Sequence, residues 1–152
     1  MHGHQIGNLD PADEQKIFKE MGGEILEFAP ESWNRLIYEY KTVNGFGSDG
    51  LTAEYPDGTS ELIDRPVSLL THTKKLRYGM YREGKGTWFS LKYTITYPTS
   101  YTVDFNYDVK PKFVFPPDSI LYAEDLKQFP RNPENIPEWL QEELRKAETE
   151  QE

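Results

Sequence analysis

Cysteine is absent from this 152-residue chain. That one gap removes disulfides, thiolate nucleophiles and cysteine-based zinc sites together, and it fits a reducing compartment. Long apolar runs are missing as well; none approaches the ~18 residues that a membrane span requires. Met1 to Glu14 lacks the basic-then-apolar layout of a secretory signal. Basic charge is short: 17 lysines and arginines face 26 acids, for a net charge of −9. Such a field discourages nucleic acid and anionic lipid and favours a basic protein partner. The expectation is a soluble cytoplasmic protein with no nucleic-acid or membrane partner, as a monomer or a homodimer.

The acidity is unevenly placed. Residues 1–33 and 134–152 each hold seven acids and two bases, so the central part is nearly neutral. Aromatic residues make up 14% of the chain, and much of the core should be large rings. One domain is the default at this length. Residues 1–9 read as a flexible N-terminus, 10–147 as a single domain and 148–152 as an acidic tail.

What is present is periodicity. Asp10-Pro11 starts a helix, with an N-cap acceptor followed by proline at the first helical position. Ile17, Phe18, Met21, Ile25 and Phe28 recur at helical spacing, and Gly22-Gly23 interrupts them, predicting a kink or close packing. Leu36, Tyr38 and Tyr40 read as one strand, and Leu51, Ala53 and Tyr55 as a second that ends in the turn Pro56–Thr59. A helix is predicted from Pro66 to about Tyr81, with Leu69, Thr73, Leu76 and Met80 on one stripe. Phe89, Leu91, Tyr93 and Ile95 alternate with polar residues, as do Tyr101, Val103, Phe105 and Tyr107. A short helix near 119–129 and a last one over 137–147 complete the chain. The fold class is α+β: an antiparallel sheet of about four strands, helices on one face, and a C-terminal helical tail. The open face would carry Glu39, Lys41, Trp88, Ser90, Lys92, Asp104, Asn106 and Asp108, with Trp88 as an exposed contact residue.

Several familiar motifs fail on context. Gly45-Phe46-Gly47-Ser48-Asp49-Gly50 has the spacing of a dinucleotide loop, but a strand follows it where pyrophosphate needs a helix N-terminus. A glycine-rich hairpin loop is the better reading. Asp104 to Asp108 begins like a calcium loop, yet Val109 stands where the turn glycine belongs and Phe115 where a bidentate glutamate belongs. Gly84-Lys85-Gly86-Thr87 lacks the upstream glycine of a phosphate loop. His2, His4 and His72 have no partner ligands at a recognised spacing. No catalytic constellation, cofactor or metal site follows from these patterns, and the chain reads as a binder rather than an enzyme.

Pro30-Glu31-Ser32-Trp33 ends the first helix ahead of the Leu36–Tyr40 strand. Thr87-Trp88-Phe89 opens the third strand, and Tyr101 to Asp108 forms the fourth. The tail carries Glu124-Asp125-Leu126, Phe129-Pro130-Arg131 and Ile136-Pro137-Glu138-Trp139-Leu140. Together, over about residues 12–142, these segments resemble the YezG-like family of bacterial immunity proteins. The Gly22-Gly23 pair, the Gly45–Gly50 loop and the acidic end beyond Leu144 do not match that pattern. The resemblance implies a cytoplasmic antitoxin that inhibits a secreted toxin, a nuclease, by stoichiometric binding without turnover. A nuclease presents a basic cleft to phosphates, so two surfaces are candidates for contact. One is the Asp104-Asn106-Asp108 face with Trp88; the other is the acidic C-terminal helix with Glu138, Glu142 and Glu143. The strand acids could equally serve solubility alone. A small-ligand, carbohydrate or peptide-binding module without catalysis is the alternative reading.

Overall fold

The computed structural model describes residues 6–150, so expectations for His2 and His4 lie outside the described residues. Helix α1 spans Pro11–Leu26, and the Asp10 carboxylate accepts from the Asp13 N–H while Asp13 returns the bond, closing a capping box. Strands β1 (Arg35–Val43), β2 (Phe46–Glu54) and β3 (Ser60–Ile63) follow, then helix α2 (Leu69–Gly79). Strands β4 (Ser90–Thr96) and β5 (Ser100–Asn106) lead into α3 (Ser119–Gln128), a 3-10 turn at Pro133–Asn135, and α4 (Glu138–Glu150). All five strands pair antiparallel in the order β3-β2-β1-β4-β5. Among the described residues, no helix is long and apolar enough to cross a membrane.

The additional strand is β3. It escapes the alternation because it is only four residues long and its two apolar residues, Leu62 and Ile63, are adjacent; Leu62 points to solvent and is 77% exposed. The β1–β2 turn is the two-residue Asn44-Gly45, both at positive φ (44° and 81°); this conformation suits the right-handed twist of a hairpin. The glycine-rich segment after it is therefore strand β2 rather than loop.

One sheet face is sealed by α1 and α2. Leu36, Tyr38, Tyr40, Leu51, Leu91, Tyr93 and Ile95 meet Ile17, Phe18, Met21 and Ile25 of α1 and Leu69 and Leu76 of α2 in the main core. Gly22 is where α1 lies closest: a Cβ there would stand 2.6 Å from the Tyr93 hydroxyl. That hydroxyl donates to the Phe18 carbonyl at 2.7 Å. Close packing accounts for this glycine. The packing also reaches upstream of the helix. Leu9 is buried against Gly79, and the N–H groups of Gly7 and Leu9 donate to the carbonyls of Tyr78 and Gly79.

The tail helices do not join that layer. A second cluster brings Val43 and Phe89 together with Tyr122 of α3 and Leu140 of α4, flanked by Phe46, Phe113 and Trp139. Val43 and Phe46 pair across β1 and β2 with the same parity as Lys41 and Ser48, so they belong to the outer face. The tail therefore covers the hairpin end of the face opposite α1 and α2, which corrects the one-sided arrangement predicted from sequence. The alternation slips to allow it. The chain bends at Phe89, whose N–H reaches the Asn106 carbonyl at 2.7 Å although Ser90 is the residue opposite Asn106. The extra residue turns Trp88 into the main core and Phe89 into the second.

A buried ion pair joins the two layers around the sheet end. Arg77 of α2 makes a bidentate pair with Asp125 of α3 at 2.7 and 2.9 Å. Its Nε donates to the Trp88 carbonyl at 2.8 Å, and its guanidinium lies over the Phe89 and Phe129 rings. Asp125 also accepts the Asn44 N–H of the hairpin turn at 2.7 Å. Removing one member strands the other in a dry site, at a typical cost of about 3–5 kcal/mol. Asp125→Ala should lower unfolding free energy in urea by that amount. The apolar pair Arg77→Met with Asp125→Leu should recover part of it, less than all because the Trp88 carbonyl and Asn44 N–H stay unpaired.

Candidate functional site

The uncovered part of the outer face is the surface that the fold leaves free. Register arranges its side chains in rows across the strands. One row runs Gly50, Glu39, Lys92, Asp104; the next runs Ser48, Lys41, Ser90, Asn106. Toward the other end lie Leu62, Thr52, Ile37, Thr94 and Thr102, then Ser60, Glu54, Arg35, Thr96 and Ser100. Signs alternate between neighbouring strands, as opposite charges favour, and Arg35 Nε bonds Glu54 at 2.7 Å. The face is thus charge-balanced, and the net negative charge sits mostly on the helices and loops.

Two shallow troughs share Glu39 and Lys41. One, of about 220 Å³, runs over β1, β4 and β5; the other, of about 270 Å³, runs over β1 and β2 to Leu62. Lys41 Nζ donates to the Lys112 carbonyl at 2.7 Å, and Phe113 packs edge-on to Phe46 at 5.0 Å. These contacts pin the β5–α3 loop to the rim of the face. The same loop holds out Val114 and Phe115, 89% and 81% exposed. An exposed aliphatic and an exposed aromatic beside polar rows have the composition of an interface anchor.

The residues expected to form a contact site are not brought together. Asp104 and Asn106 lie on the outer face. Asn106 in addition closes a turn, bonding both the N–H and the carbonyl of Val109. Strand β5 stops there, so Asp108 leaves the face and sits 3.3 Å from Arg131. Trp88 is fully buried between Tyr40 and Phe105, and the expectation of an exposed tryptophan is overturned. The slip at Phe89 turns it inward, and its indole N–H has no partner among the described residues, a cost of about 1–3 kcal/mol. Glu138 and Glu142 are exposed on α4, but Glu143 is buried and receives the Ser119 hydroxyl at 3.2 Å. Glu143 is thereby corrected from a contact residue to a structural one; α4 turns this side inward with Leu140 and Ala147. Burial, with Glu143 and Asp125 nearby, raises the Tyr122 phenol to about 12.

Sequence reasoning missed the polar residues placed by packing between distant segments. Asp49 turns inward to accept from Tyr38 Oη at 2.7 Å and Arg65 Nε at 2.9 Å. Burial, aided by that carboxylate, pushes the Tyr38 pKa far above its ordinary value. Arg131 reaches the carbonyls of Thr87, Tyr107 and Asn135, and its guanidinium covers Phe89 on its own account. No local periodicity announces these contacts. His72, which has no ligand neighbour in sequence, lies 2.8 Å from the Glu24 carboxylate of α1.

The Gly84–Thr87 segment is a tight turn with structural duties. Gly84 accepts from the Asn132 N–H and the Asn135 amide, and a Cβ on Gly86 would lie 2.4 Å from Arg131 Nε. No known protein family matches the chain, and no curated protein does either.

Gly86 and Gly58 have nearly the same positive φ (88° and 89°), but Gly58 has nothing within 4 Å of its Cβ position among the described residues. Gly58→Ala should cost about 1–3 kcal/mol from backbone strain alone. Gly86→Ala should cost measurably more, read as a lower urea midpoint, because it also displaces Arg131.

Proposed function

We propose that this protein is an immunity protein, which binds a secreted toxin domain, a nuclease, one-to-one and blocks it without turnover. The observation that carries the reading is the stiff, uncovered outer face: ordered polar rows framed by exposed Leu62 and by the Val114–Phe115 loop. It agrees with the short blocks, from Pro30–Trp33 to Ile136–Leu140, that resemble the YezG-like immunity proteins. Antiparallel sheets commonly keep one face solvated, but a balanced charge grid with large apolar residues at its edges suits a protein contact better than solubility alone.

Two kinds of residue then divide the work. Leu62, Phe115 and the Glu39–Lys92–Asp104 row make the close contacts. Glu138 and Glu142 on α4 contribute to the negative field that draws a basic partner in. Contacts of the first kind govern dissociation, and the long-range field governs association and its salt dependence. The open troughs suit an extended segment of the partner, since a small molecule needs deeper enclosure.

The test is inhibition of a nuclease toxin domain, sought first among the products of the neighbouring genes. A one-to-one molar ratio should abolish its nuclease activity. Leu62→Glu and Phe115→Glu should each weaken binding by about tenfold or more, roughly the 1.4 kcal/mol of an anchor residue, with unchanged thermal stability. Glu138→Lys with Glu142→Lys should slow association at low salt and leave dissociation nearly unaltered. Full nuclease activity in the presence of a tenfold excess of the protein would reject the proposal.

A further inference from the structure

Away from the outer face, on the helical layer, three metal-ligating side chains converge. Glu20 and Glu24 stand one helical turn apart on α1, and His72 comes from the first turn of α2. One ligand atom from each lies within 4.8 Å of the others. We propose that Glu20, Glu24 and His72 bind a divalent transition-metal cation of the zinc class, bridging α1 and α2.

The arrangement has the components such a site requires. Imidazole with carboxylates suits zinc and its first-row neighbours, whereas magnesium and calcium prefer all-oxygen sets. Ligand atoms about 2.0–2.2 Å from a tetrahedral zinc lie roughly 3.4 Å apart. His72 Nε2 and Glu24 Oε2, at 2.8 Å, need to open slightly, and Glu20 needs to close by a rotamer change. Glu20 is exposed and free to make that change. Glu24 is already oriented: its other oxygen accepts the Ser68 hydroxyl, the kind of outer contact that fixes a metal-bound carboxylate. Burial raises the Glu24 pKa, but the hydrogen bonds from Ser68 and His72 outweigh it and hold the group below its usual value.

The cluster is also electrostatically incomplete. Like charges at i and i+4 repel on a helix, and the His72 ring is hydrogen-bonded to Glu24. Among the described residues, the Glu20 carboxylate has no hydrogen-bonding or ionic partner. A doubly charged cation would neutralise both carboxylates and tie α1 to α2 beside the close approach at Gly22. Three protein ligands leave a fourth position for water.

The experiment is calorimetric titration of the chelator-stripped full chain with zinc chloride, paired with thermal unfolding. One zinc per chain should bind and raise the melting temperature, because a ligand held only by the folded state stabilises it. Magnesium at the same concentration should do neither. His72→Ala and Glu20→Gln should each weaken binding by about tenfold or more, with circular dichroism unchanged from the parent protein. Since His2 and His4 offer a competing set of imidazoles, His2→Ala with His4→Ala should keep the zinc affinity. Cobalt(II) should give visible absorption in the parent protein and lose it in His72→Ala. No zinc uptake, uptake indifferent to both single substitutions, or uptake lost with His2 and His4 would each overturn the proposal. These residues lie apart from Leu62, Phe115 and the charged rows, so its failure leaves the toxin-binding test untouched, and the reverse holds as well.

Discussion

The fold turns on one desolvated ion pair. Arg77 leaves α2, passes the end of the sheet and meets Asp125 of α3, so helices on opposite faces share a single charge interaction. Both side chains are almost wholly removed from water, where the attraction is strong and the penalty for an absent partner is larger still. The remaining valences are spent on backbone: the Trp88 carbonyl on one side and the Asn44 N–H on the other. Those two bonds fix the entry into β4 and the β1–β2 turn. A feature that orders two helices, a strand start and a hairpin needs fixed geometry, which the planar guanidinium fork supplies and a lysine would not.

Phe89 extends the same logic. The guanidiniums of Arg77 and Arg131 both lie over its ring, at 5.6 and 5.2 Å from the centroid. Stacking cations on a ring is worth more where water is excluded, and here it also solves a packing problem. Phe89 has left the alternation of β4, and the tail helices need an aromatic floor on the outer face. The two arginines provide a polar wall that carries its own hydrogen bonds, so the cluster under α3 and α4 closes without a large aliphatic core.

Legibility in the sequence followed locality. The Asp10-Pro11 helix start, the stripe of α2 and the alternating rings of β4 and β5 are local patterns, and each marked its element. Strand β3 was invisible because a four-residue edge strand with Leu62 and Ile63 adjacent has no apolar alternation to read. Trp88 and Glu143 were misplaced for a related reason. Periodicity assumes an unbroken pleat or an exposed helix face, and a bend at Phe89 and a second layer under α4 break those assumptions. Buried arginines and the meeting of Glu20, Glu24 and His72 join residues dozens of positions apart. Such contacts are set by tertiary packing, which no single window contains.

The upstream segment carries a consequence of its own. A Cβ on Gly79 would stand 2.3 Å from Leu9, so the end of α2 is a socket and Leu9 the plug that fills it. Shifting the frame between Leu9 and Pro11 by a single inserted or deleted residue would pull the plug out while leaving every helix and strand formally intact. The packing constraint on the sequence therefore reaches upstream to Gly7, several positions ahead of the first helix.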